Sequence, residues 1–98
     1  PDLPDDLHAR IADACSALDA NPGNGILDAV PELRRVWSDP AVVGALTSLL
    51  GADYRMNGHR HLHTTPARHP HSQTWHQDGT NVRHHQIRTV LGMYYPQA

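Results

Sequence analysis

Five consecutive residues, Trp75-His76-Gln77-Asp78-Gly79, set an imidazole, a carboxylate and a glycine at a spacing that suits metal chemistry. On an extended chain side chains alternate, so His76 and Asp78 project to the same side. An imidazole and a carboxylate projecting together can take two adjacent positions on one metal ion. A third ligand, usually another histidine, then completes the 2-His-1-carboxylate facial triad of non-haem Fe(II) oxygenases, with positions left open for substrate and oxygen. Gly79 lets the backbone turn tightly just after the second ligand. A lone His-x-Asp pair is more often a surface histidine near a turn aspartate, so its setting decides its meaning.

A second histidine group lies upstream. From Tyr54 the pattern has a period of two, with Tyr54, Met56, Gly58, Arg60 and Leu62 on one face and Arg55, Asn57, His59, His61 and His63 on the other. Three alternating histidines on a strand could bind zinc by themselves. The plainer reading makes them wall residues that bond each other, a co-substrate or water. His69, His71, His84 and His85 fall in expected loops beside the motif, where they could shape the mouth of a site. Arg83 and Arg88 could hold an anion, although isolated arginines more often pair at the surface.

The elements that must position these residues change character near residue 51. A first helix is expected from about Asp5 to Ala20, with Leu7, Ile11, Ala14, Cys15 and Leu18 on one apolar face. Asn21-Pro22-Gly23-Asn24-Gly25 ends it with turn chemistry. A second helical stretch carries Ile26, Leu27, Val30, Leu33, Val36 and Trp37, and Pro31 predicts a break within it. The third is the best punctuated. Ser38 or Asp39 can cap it, Pro40 suits its first turn, and Gly51 suits the position after its end. Its apolar face is Val42, Val43, Leu46, Leu49 and Leu50. Beyond it the period predicts a strand over Tyr54–Leu62, a loop over Thr65–Ser72, an extended stretch over Thr74–Asp78 and a second loop over Gly79–His85. A long strand over Gln86–Tyr95, apolar on both faces in part, is expected inside a sheet.

The segment SQTWHQDGTNVRHHQIRTVLGMYYPQ resembles the iron-binding segment of the phytanoyl-CoA dioxygenase family, a branch of the Fe(II)/2-oxoglutarate-dependent oxygenases. The likeness lies in an H-x-D-G block, a loop, and then a strand of the R-x-x-x-x-x-Y-Y-P-Q kind. The upstream WSDPAVVGALTSLLGADYRMNGHRHLH is similar to that family's helix, its LLG stop and the strand that follows. The resemblance runs from about Trp37 to Gln97. It implies an α+β fold, with N-terminal helices packed on part of a double-stranded β-helix (jelly-roll) core. It implies iron ligation by His76 and Asp78, with 2-oxoglutarate and O2 as co-substrates and a small organic molecule as the substrate hydroxylated. It places His61 and Tyr94 beside the co-substrate. The family's third ligand, a more distal histidine, and the arginine that pairs with 2-oxoglutarate would both follow residue 98. The 98 residues are therefore expected to be one domain, helical over 1–51 and β-rich over 52–98, forming the N-terminal part of an oxygenase domain and inactive alone.

Composition sets the outer limits. The 98 residues carry a net charge of −2, with eight arginines, no lysine and nine histidines. There is no global basic field for a nucleic-acid backbone, so no nucleic-acid partner is expected. The single Cys15 excludes an internal disulfide and suits a reducing compartment. No apolar run approaches a membrane span, and the acidic PDLPDD start has no leader-like core, so a cytoplasmic location is expected. The alternative function is a non-catalytic, histidine-rich metal-binding module.

Overall fold

The structure, a computed structural model, describes residues 3–63 and 88–96. Half of these residues are helical and none lies in a strand. Helix α1 spans Asp5–Ser16. A 3-10 turn at Gly23–Gly25 leads into α2, Ile26–Ala29, and then come α3, Leu33–Trp37, and α4, Pro40–Leu50.

Helix α1 forms because its apolar residues repeat on one face and because Asp5 and Asp6 sit at its positive end. Arg10 pairs with Asp6 one turn back at an exposed site. The helix stops at Ser16, short of the Ala20 that periodicity suggests. Its last turn tightens, with Leu18 N donating to the Cys15 carbonyl at 3.4 Å. Four residues later Pro22 biases Asn21 away from helix. The Asn21 side chain then accepts from Gly23 N at 2.9 Å and starts the 3-10 turn.

Pro31 divides the second apolar stretch as expected. Val30 takes an extended conformation (φ −129, ψ 81), and Leu33, Arg34 and Arg35 bond back three residues to begin α3. This turn delivers Val30 into the core. Leu7, Ile11 and Val30 are fully buried, and Ile26, Leu27, Leu33 and Val36 close around them. Leu18, Trp37, Leu62 and Tyr94 pack against the rim of this cluster.

Helix α4 is capped by Asp39, whose carboxylate accepts from Ala41 N at 2.9 Å, with Pro40 at the first position. Gly51 ends it at φ +88, a conformation that costs other residues. Its apolar face is only partly covered. No residue of α4 is buried, and Leu49 is 49% exposed.

The expected α+β fold is overturned here: no strand, and so no part of a jelly-roll core, is present among the described residues. The Tyr54–Leu62 stretch is irregular chain with a bend at Gly58. Its backbone groups take side-chain partners in place of a neighbouring strand. His59 N donates to Asn57 Oδ1 at 3.1 Å, Arg60 N donates to Asn24 Oδ1 at 3.0 Å, and the Leu62 carbonyl accepts from Asn21 Nδ2. The described part of the second expected strand, residues 88–95, is irregular chain. Val90, Leu91, Met93 and Tyr95 are exposed there, not internal to a sheet. The expected loops over 65–72 and 79–85 and the extended stretch Thr74–Asp78 lie outside the described residues.

The difference in burial between α1 and α4 sets the first test. Ile11→Ala should cost about 2–5 kcal/mol, because it opens a cavity in the packed cluster. Leu49→Ala should cost under about 1 kcal/mol, since half of its surface stays in water. Urea denaturation followed by helical circular dichroism measures both. Equal losses would contradict this account of the core.

Candidate functional site

The two expected iron ligands, His76 and Asp78, lie outside the described residues. The chain on both sides of them is docked on the helices. Upstream, Asn21 and Asn24 hold the backbone of Arg60 and Leu62. Downstream, two anchors hold residues 88–96. Gly92 lies against the Trp37 indole so closely that an added Cβ would stand 2.7 Å from Cζ3 and 2.9 Å from Cη2. Only glycine permits that approach. Two residues on, the Tyr94 hydroxyl sits 2.6 Å from His8 Nδ1, and the two rings stack at 5.8 Å with a 30° tilt.

Tyr94 was expected beside a co-substrate. It is half-buried against α1, and its hydroxyl is engaged by His8. With Nδ1 unprotonated, the phenol donates and the imidazole accepts. Burial pushes the Tyr94 phenol above its ordinary value of 10.0, and negative charge on Cys15 adds to the rise. Burial also raises the Cys15 thiol above 9.0, so this cysteine is a poor thiolate nucleophile.

His61 was expected on the inner wall of a barrel near the same co-substrate. With no barrel among the described residues, it is exposed on the irregular 52–63 stretch. Its ring lies 4.3 Å from that of His59 and 6.0 Å from that of His63. No hydrogen bond or ring contact joins His61 to Tyr94 among the described residues. Nor do the described residues contain a group of three His, Cys, Asp or Glu side chains placed to hold a metal ion. The three histidine rings lie side by side along an irregular chain, without the strand that their alternation suggested.

Sequence reasoning missed His8. Its signal is its place in α1, three residues before buried Ile11 and seven before Cys15, on the flank of the apolar stripe. No helix among the described residues is long and apolar enough to cross a membrane. No family model, curated protein or solved structure matches the chain.

The His8–Tyr94 contact is testable by a double-mutant cycle. His8→Ala and Tyr94→Phe should each cost about 0.5–1.5 kcal/mol, and the pair together clearly less than their sum. The Tyr94 phenol also has a pH signature. A folded-state pKa raised above the unfolded 10.0 contributes stability that is complete below pH 10 and is lost as pH rises through the folded value. Tyr94→Phe should therefore flatten the alkaline end of the stability profile above pH 10. An unchanged alkaline limb would show that the phenol does not titrate as described.

Proposed function

We propose that this chain supplies two iron ligands, His76 and Asp78, to a non-haem Fe(II)- and 2-oxoglutarate-dependent oxygenase that hydroxylates a small organic substrate. The observation that carries the reading is the His76-x-Asp78-Gly79 motif, followed by Arg88 and the run Tyr94-Tyr95-Pro96-Gln97. That combination resembles the iron-binding segment of the phytanoyl-CoA dioxygenase family. The proposal rests on this motif and not on a barrel.

The donor chemistry fits Fe(II). An imidazole nitrogen and a carboxylate oxygen are the ligand types such sites use. When bound, iron with 2-oxoglutarate and O2 would supply the oxidising power for C–H hydroxylation. The chain's own residues do simpler things. His76 offers a neutral nitrogen lone pair, and Asp78 offers a negative charge against the cation. Both must be deprotonated, so metal retention falls with acid. Gly79 frees the backbone immediately after the ligand pair. The docked ends at Leu62 and at Gly92–Tyr94 fix where the motif-bearing stretch leaves and rejoins the helices.

In the full-length protein, His76→Ala and Asp78→Ala should each abolish substrate-coupled turnover of 2-oxoglutarate while the helical signal is kept. Asp78→Glu should also fail, since one more methylene moves the carboxylate by roughly 1.5 Å. Anaerobic addition of Fe(II) and 2-oxoglutarate should give a metal-to-ligand charge-transfer band that the variants lack. Near-normal hydroxylation by any of the three would remove that residue from the site.

A second reading, a histidine-rich metal-binding module, is favoured by the His59 and His61 rings 4.3 Å apart. Metal analysis of the His76→Ala/Asp78→Ala double variant separates the two. The oxygenase reading expects its tightly held metal to be lost. Stoichiometric retained zinc would favour the metal-binding module, with the metal held by histidines other than His76.

A further inference from the structure

Arg60 carries a cation that the described residues leave unanswered. Its side chain is half-buried, and its Nε is shut off from solvent with no hydrogen-bond partner among the described residues. Its backbone is well held through Asn24, so the position is fixed even though Nε has no acceptor among the described residues. Enclosed polar N–H groups in folded proteins nearly always have an acceptor, and a charged one without an acceptor is costly.

Arg60 lines a cleft of about 370 Å³ together with Leu27, Arg34, Trp37, Ser38 and Met56. The cleft is largely open to solvent, so it would hold one face of a small organic molecule and leave the other in water. The lining is divided in character. Two guanidinium groups and a hydroxyl make one part, and an indole with two apolar side chains makes the other. Arg34 already pairs with Asp28 at 2.5 Å, which leaves Arg60 as the cation without a carboxylate among the described residues. One available cation beside an apolar wall fits a monoanion better than a phosphate dianion. With Nε closed to solvent, the two Nη groups are the donors left for a carboxylate, and they match it in two parallel hydrogen bonds. We propose that this cleft binds a small organic carboxylate with a flat, apolar body, the carboxylate on Arg60 and the body against Trp37, Leu27 and Met56. None of the residues named in this proposal is an expected iron ligand, and the binding it describes needs no metal.

The test uses the 98-residue chain, free of metal, and three probes: indole-3-acetate, its uncharged analogue tryptophol, and acetate. Calorimetry should show saturable binding of indole-3-acetate with a Kd of about 0.1–1 mM. Tryptophol, which lacks the charge, and acetate, which lacks the body, should each bind at least about tenfold more weakly. In nitrogen-proton correlation spectra the Arg60 Nε–H signal should move with the same saturation curve. Arg60→Gln should weaken binding at least about tenfold, and Arg60→Lys nearly as much, because lysine lacks the fork. Arg10→Gln, in the exposed ion pair of α1 and outside the cleft lining, should leave binding unchanged. Should Arg60→Gln fail to fold by circular dichroism, Met56→Glu gives the answer. Met56 is 51% exposed, and a carboxylate there should occupy Arg60 and abolish binding. The His76→Ala/Asp78→Ala variant should bind indole-3-acetate normally, which keeps this test separate from the iron proposal. The inference is overturned by absent saturation at about 1 mM, by equal binding of tryptophol, or by undiminished binding in Arg60→Gln or Met56→Glu.

Discussion

Leu7 and Ile11 of α1 close over Val30, and every other docked part of the chain rests on that contact. The three side chains are fully buried, and each contributes about 1.5–3 kcal/mol by leaving water. Val30 reaches them only because Pro31 breaks the second helical stretch and turns the backbone out of helix at that residue. Leu62 and Tyr94 then find a rim to lie on, and Trp37 presents a ring for Gly92 to meet. Without the proline break, the helical stretch would carry Val30 elsewhere, and these contacts would have no common platform.

The polar counterpart is a pair of asparagines in the turn before α2. Asn21 shapes its own turn and also reaches the Leu62 carbonyl, while Asn24 receives the Arg60 amide. Backbone groups must be satisfied somewhere, and here side chains do what a neighbouring strand would do in a sheet. The same arrangement fixes Arg60 at the edge of the cleft beside Trp37. The turn thus sets both the path of the 52–63 stretch and the chemistry of that cleft.

Local signals along the first half of the chain were legible because they act within a few residues. Asp39, Pro40 and Gly51 mark α4 by cap chemistry, and the Pro31 break follows from the missing N–H and ring bulk of proline. The strands were misread because a period of two reports only an alternation of side chains. It does not report whether a partner exists to take the backbone bonds, and Asn21 and Asn24 took those of Arg60 and Leu62. Tyr94 and His61 were singled out by resemblance, and their contacts, to His8 and His59, depend on packing between distant parts of the chain. Arg34 and Trp37 lie on α3 and carry no local mark of a site in the sequence. Their shared cleft appears only when residues 56–60 are laid across them.

The His8–Tyr94 contact spans a sequence separation of 86 residues, and that has a consequence for the order of assembly. Closing a loop of that length from an unfolded chain costs about 4 kcal/mol in entropy, more than one hydrogen bond returns. Seating Leu62 first leaves a shorter connection, from Leu62 to Gly92, whose closure costs about 1 kcal/mol less. The helices, built from near-neighbour contacts, need no such closure and form on a faster timescale. The segment that carries Gly92 and Tyr94 is therefore secured last, onto a surface already made, and its attachment should be the first to open on warming.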